Sequence, residues 1–141
     1  MGALIIYYDG LCPLCQAEIL FLKSRNHQRL LNFVDLQAPA FDASLHQVSC
    51  AQAMAKIHGR LANGELLTGI PVFAEAYRRI GLTVMAWLIS RTWVRLFLDP
   101  VYLIFAKHRH AISRTLGPGL LRLARRRYLR APRLPLPGLP R

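Results

Sequence analysis

Acidic residues are scarce in this chain: seven Asp and Glu stand against nineteen Lys and Arg in 141 residues, and none follows Asp99. Residues 1–70 set five acids (Asp9, Glu18, Asp35, Asp42, Glu65) against five bases and are neutral. Residues 71–141 set only Glu75 and Asp99 against fourteen bases, so the whole net charge of +12 arises there. Cysteine is scarcer still, at three, which argues against a disulfide-stapled scaffold and directs attention to redox or metal chemistry. No basic segment followed by a small-residue cleavage site opens the chain, so no secretory signal is read and cytoplasmic residence is expected. No internal repeat is evident. What is abundant is hydrophobic residue, 53% of the chain, enough for one domain with a real core.

The run ALIIYY (residues 3–8) is continuously apolar and β-favouring, as expected of a central strand covered on both faces. Asp9-Gly10 breaks it. From Pro13 to about Asn26 the period is helical, with Cys15, Ile19 and Leu22 turned inward, and LLNFVDL (residues 30–36) reads as a second strand. Strand, helix and strand over this distance form a βαβ unit with parallel strands. After a loop-like stretch a short helix is expected around Ser49 to Ala55. Asn63-Gly64 suits a two-residue hairpin turn with positive φ at both central residues. Gly69 to Gly81 reads as a helix, with Pro71 in its first turn and Gly81 at C′.

Residues 82–98 (LTVMAWLISRTWVRLFL) approach the roughly 17 to 25 residues of a spanning helix. Arg91 and Arg95 interrupt the second half, so a buried or surface-lying helix is expected instead, ended by Asp99-Pro100. Another helix, from about Val101 to Leu116, is expected to stop at Gly117-Pro118-Gly119. Beyond it LLRLARRRYLR is basic and amphipathic, and APRLPLPGLPR is too proline-rich to pack.

The chemistry concentrates in YYDGLCPLC (residues 7–15). With Pro13 at the first helical position, Cys12 becomes the N-cap and its sulfur faces unpaired N–H groups, including that of Cys15. A thiolate there is stabilised by the helix N-terminus, which can lower a cysteine pKa from about 8.5 to between roughly 3.5 and 7.5. Cys15 lies one turn on, where two sulfurs can bond without unfolding the turn. An exposed, ionised Cys12 and a half-buried Cys15 form the asymmetry that thiol–disulfide exchange needs: Cys12 attacks and Cys15 resolves. Two alternatives stand beside this reading. The pair could be half of a zinc site, although Cys50, His46 and His58 supply no second knuckle spacing; or it could be inert packing. Cys50, beside Ala51 and Ala53, reads as a small buried residue without a role. A carboxylate near Cys15 could accept its proton, and Asp9, Asp35 and Glu18 are the candidates.

YYDGLCPLCQAE resembles the opening of the DCC family of thiol-disulfide oxidoreductases, whose D-x-x-C-x-x-C signature is carried here by Asp9, Cys12 and Cys15. FVDL (33–36), IHGRLANGELLTG (57–69) and YLIFAKHR (102–109) resemble its later landmarks, except that His108 stands where the family tends to show Asn. The resemblance implies an α/β, thioredoxin-like fold: a βαβ unit, a β-hairpin, then several C-terminal helices. It divides the chain into a domain at residues 1–116 and a basic, proline-rich tail at 117–141. It further implies protein-disulfide reductase activity with site residues Cys12, Cys15, Asp9 and Glu18, and neither cofactor nor metal. The substrate would be a disulfide-containing protein or a small thiol compound, with electrons from an external donor. Thioredoxin-like sites usually set a cis-proline before a strand against the CxxC, but Pro71 follows the hairpin and Met54 to Lys56 contain no proline, so a different substrate groove is expected.

After Asp99 the ten Arg and Lys meet no acid. Leu and Arg alternate at helical spacing in residues 120–130, which suits an anionic membrane surface; nucleic-acid binding is disfavoured because Tyr128 is the only interleaved aromatic. A solvated tail is the plain alternative. Three functions therefore compete: a CxxC oxidoreductase, a zinc-binding module, and a membrane-peripheral adaptor without catalysis.

Overall fold

The computed structural model describes residues 2–42 and 50–130. Strand β1 (Leu4–Tyr8) is the centre of the molecule because both of its faces are covered. Leu4 and Ile6 point to one side, against Ile19 and Leu22 of helix α1 (Pro13–Arg25) and Val72 and Ala76 of a later helix. Tyr7 points to the other, against Leu36 and Phe41. Five side chains of the first cluster (Leu4, Ile6, Leu22, Val72 and Ala76) are fully buried, and each of the four large ones contributes about 1.5–3 kcal/mol by its removal from water. Asn26, the C-cap of α1, clamps the next strand: its side chain donates to the Leu31 carbonyl at 2.7 Å and accepts from the Leu31 N–H at 3.1 Å. Strand β2 (Leu31–Asp35) then runs parallel to β1, pairing Leu4 with Leu31 and Tyr8 with Asp35.

Helix α2 (Cys50–Ala55) leads to β3 (His58–Arg60) and β4 (Leu66–Thr68), an antiparallel hairpin whose first strand lies antiparallel to β1. The sheet order is β2-β1-β3-β4. Helices α3 (Ile70–Arg79), α4 (Thr83–Ser90) and α5 (Thr92–Arg130) follow. This mixed α/β arrangement, with a βαβ unit, a hairpin and then helices, is thioredoxin-like, as the sequence leads one to expect. Both parallel strands end where α1 begins. Pro71 opens α3 as expected, and Gly81 (φ 84°) closes it in a Schellman motif, its N–H bonded to Arg78 O and that of Leu82 to Tyr77 O.

Several local expectations are corrected. The hairpin turn is not a two-residue one: Gly64 N–H bonds to Leu61 O, only Gly64 takes positive φ (89°), and Leu61 N–H bonds to Glu65 O. That is a three-residue loop in which a β-turn is followed by a glycine bulge. Residues 82–98 do not form one helix, because Arg91 is extended (φ −69°, ψ 133°) and separates α4 from α5. Nor do Asp99-Pro100 and Gly117-Pro118-Gly119 end helices; α5 passes through both prolines. An interior proline costs about 3 kcal/mol by losing a hydrogen bond and crowding the preceding turn. Here packing on the body of the domain offsets it, through Tyr102, Phe105, Arg109, Ser113 and Gly117. The proline-rich residues 131–141 and the Cys50 side chain, both read from sequence above, lie outside the described residues.

Gly117 shows why that helix continues. It is the point of closest approach between α5 and the start of α1: a Cβ there would lie 2.8 Å from Pro13 Cβ and 2.9 Å from Ser113 Oγ. Gly119, two residues on, has nothing within 4 Å of the same construction. Replacing a helical glycine by alanine gains about 1 kcal/mol in propensity, whereas overpacking costs about 1–3 kcal/mol. Gly119→Ala is therefore expected to stabilise the protein and Gly117→Ala to destabilise it, opposite shifts in the midpoint of chemical denaturation.

Candidate functional site

The site grows from the turn that ends β1. Asp9 is buried, and its Oδ1 accepts from the Leu11 N–H at 3.0 Å and from Gln37 Nε2 at 3.2 Å. Gly10 donates its N–H to Asp35 Oδ1 at 2.9 Å, and a Cβ on Gly10 would strike that carboxylate at 2.0 Å. Asp35 also accepts from the Gln37 N–H, so it ties the end of β2 to the turn. Gln16 donates to the Gly10 carbonyl from the first turn of α1. The polypeptide is thus pinned from three sides before it reaches Cys12.

Cys12 is the N-cap of α1 with Pro13 inside its first turn, as the sequence predicts, and its sulfur accepts from the Cys15 N–H at 3.3 Å. The Cys15 sulfur lies 2.6 Å from it, both cysteines being free. A third group comes from α5: Ser113 Oγ accepts from the Leu14 N–H at 3.2 Å and stands 3.6 Å from the Cys12 sulfur. Because the hydroxyl accepts from Leu14, its own proton is available to the sulfur. The Cys15 thiol hydrogen bond, the Cys15 N–H and the Ser113 hydroxyl together outweigh burial and the nearby Asp9, and they bring the Cys12 thiol down to about 6. The same contact and burial push Cys15 well up. One sulfur is therefore held as thiolate and the other as thiol, which is the division expected from the motif.

The expected exposure of Cys12 is corrected: it is 0% exposed, and Cys15 is the partly accessible member. The reason is tertiary. Ser113 and Gly117 of α5 sit on Pro13 and Leu14 and close the mouth of α1 over Cys12, whereas Cys15 faces a cavity of about 670 Å³. Aromatic side chains line much of it, Phe21, Phe73, Tyr77, Tyr102 and Phe105 among them, and Asp9, Glu18 and Arg109 share its wall.

The two carboxylates read as proton acceptors differ in their partners. Arg109 approaches Asp9 Oδ2 to 3.6 Å, and that oxygen has no hydrogen-bond partner among the described residues. Glu18 accepts from the Tyr77 hydroxyl at 2.7 Å, and burial holds its carboxyl above the usual range. Tyr102 accepts the Ile57 N–H at 2.8 Å, fastening α5 across the end of β3. Ser113, Arg109, Tyr77 and Tyr102 were not among the site residues named from sequence. Tyr102, Phe105, Arg109 and Ser113 do recur at helical spacing, but expecting helix ends at Pro100 and Gly117 hides which face is inward.

Among the described residues no group of three or more His, Cys, Asp or Glu side chains is placed to hold a metal ion. His58 turns its Nδ1 to the Lys56 carbonyl at 2.8 Å. The zinc reading gains no support from this arrangement.

The profile of the DCC1-like thiol-disulfide oxidoreductase family matches residues 6–115. The chain belongs to this family. Asp9, Cys12 and Cys15, all within the matched residues, are gathered at the mouth of α1. The chain is also similar to an uncharacterized chloroplastic protein of Arabidopsis thaliana, 29% identical over 108 residues, which cover 75% of this chain and 50% of that protein. It thus spans about half the length of this relative. No solved structure matches. Among the described residues of this DCC1-like chain, no helix is long and apolar enough to cross a membrane.

Proposed function

We propose that the protein is a thiol-disulfide oxidoreductase of the protein-disulfide reductase type, working through a Cys12–Cys15 dithiol and disulfide. The observation that carries the reading is the Cys12 sulfur, held by an N–H, a thiol and a hydroxyl at the start of α1 and brought to about 6. The Cys12 thiolate attacks one sulfur of a substrate disulfide, and the other leaves as a thiolate and takes up a proton. Cys15 then gives its proton to a base and attacks the Cys12 sulfur, releasing the second substrate thiol and closing the Cys12–Cys15 bond. Two electrons pass to the substrate, and an external dithiol donor restores the pair. In the cytosol, the compartment we infer, that donor keeps the resting pair reduced.

Asp9 is the better-supported base, since its Oδ2 is unengaged by hydrogen bonds and shares the cavity wall with Cys15, whereas a Glu18 oxygen is occupied by Tyr77. Because Cys12 is covered, attack requires the Ser113–Gly117 turn of α5 to lift from Pro13 and Leu14. Ser113 is a positioning residue in this scheme.

The test is the rate of alkylation of Cys12 against pH, read by peptide mass. A midpoint near pH 6 is expected, with Ser113→Ala moving it upward and Ser113→Thr restoring it. The midpoint, unlike the absolute rate, does not depend on how often the turn lifts. A wild-type midpoint at the ordinary thiol value would remove the reading.

A further inference from the structure

We propose that the elbow formed by α4 and the first half of α5 is a docking surface for an anionic lipid bilayer. On α5, Trp93, Leu96, Phe97, Val101 and Ile104 recur at i, i+3, i+4, i+8 and i+11 and are exposed, Leu96 to 70% and Phe97 to 73%. That spacing places them along one helix face. The opposite face, with Tyr102, Phe105 and Arg109, lines the cavity, so the apolar stripe is additional to what the core uses. On α4, Ala86 is buried while Val84, Met85, Trp87 and Leu88 are exposed, Val84 to 79%. So many exposed large apolar side chains on two adjoining helices of a small domain mark an interaction face.

Charge selects the occupant. Arg91, at the bend between the helices, stacks its guanidinium 4.0 Å from the centre of the Trp87 ring. Arg95 is partly exposed and lies beside Trp87 and Ser90, with its Nε buried. Residues 71–141 carry fourteen bases and two acids, so closing this face on a second copy would bring like charges together. An anionic headgroup layer attracts the same arginines, and Trp with Arg is the pairing suited to the boundary between acyl chains and water. No helix among the described residues can span; the surface lies on the membrane with its stripe in the headgroup boundary. These residues differ from the basic 120–130 segment to which the sequence alone directs attention.

The chain has two tryptophans, Trp87 and Trp93, both in the patch, so intrinsic fluorescence reports it directly. With the full chain, phosphatidylcholine vesicles containing phosphatidylglycerol are expected to shift the emission to the blue and to cosediment with the protein; phosphatidylcholine alone is expected to do so much less. The double substitution Leu96→Glu with Phe97→Glu is expected to weaken cosedimentation roughly tenfold or more while far-UV circular dichroism is unchanged. Should that variant unfold, Val84→Ser with Met85→Ser reads the same surface. The double substitution Arg125→Gln with Arg126→Gln is expected to leave the blue shift in place. No shift with anionic vesicles overturns the proposal, as does binding that survives the patch variants and is lost in the arginine variant. A concentration-dependent blue shift without lipid, at twice the monomer mass, also overturns it and assigns the face to self-association.

Discussion

Replacing Cys12 by serine is expected to abolish dithiol-dependent reduction of a model disulfide, a loss of roughly 10³-fold or more because a hydroxyl cannot replace a thiolate as nucleophile. Cys15→Ser is expected to act differently. Cys12 still attacks, but no second sulfur can displace the substrate thiol, so a covalent adduct between protein and substrate accumulates and appears by mass under non-reducing conditions. The serine hydroxyl can still donate to the Cys12 sulfur, so this variant is expected to keep Cys12 lowered, whereas Cys15→Ala removes the contact that lowers it most and raises its alkylation midpoint. Serine at either position retains the N-cap or helix geometry, since Ser is a favoured cap and fits α1. Circular dichroism should therefore be unchanged in both variants. Wild-type turnover in either one removes the mechanism.

The second large effect is on stability against pH in the reduced protein. Cys12 titrates at about 6 when folded, against an ordinary thiol value of 9.0. A folded value below the unfolded one contributes stability that is fully present above about pH 9 and is lost as pH falls toward about 6, because only the unfolded chain binds the proton in between. Each pKa unit corresponds to about 1.4 kcal/mol, and across pH 6.5 to 8.5 the linkage amounts to about 2 kcal/mol. Cys15 works in the opposite sense. Its folded value is raised, chiefly by its hydrogen bond to Cys12, so stability is lost again above the ordinary thiol range. Urea denaturation of reduced protein is expected to show stability rising by this amount from pH 6.5 to 8.5, with the rise missing in Cys12→Ser. Equal slopes in the two proteins would show that Cys12 carries no thiolate in the fold.

Much of the fold is legible in the residues because its signals are local. ALIIYY, the helical period after Pro13 and LLNFVDL each occupy one short window, and the distance between them permits one connection. Pro13 at the first helical position is enough to place Cys12 as the cap and Cys15 one turn later. In the second half Gly81 does end its helix, but the local stop signals at Asp99-Pro100 and Gly117-Pro118-Gly119 do not. Pro100 and Pro118 are unfavourable within a helix by local propensity, yet Tyr102, Ser113 and Gly117 hold α5 against the domain at separations of forty-five residues and more, from Tyr102 to Ile57 and from Ser113 to Leu14. A long-range contact of that kind leaves no trace in a local window.

The amino-acid order alone thus determines the parallel βαβ unit, the hairpin and the placing of two sulfurs at the start of a helix, since each rests on backbone preferences a few residues wide. Only the folded molecule decides which sulfur is covered and which meets the cavity, that Ser113 joins them, and that Arg109 faces Asp9. Those facts depend on where α5 crosses α1, and that crossing is set by the packing of two helices a hundred residues apart in the chain.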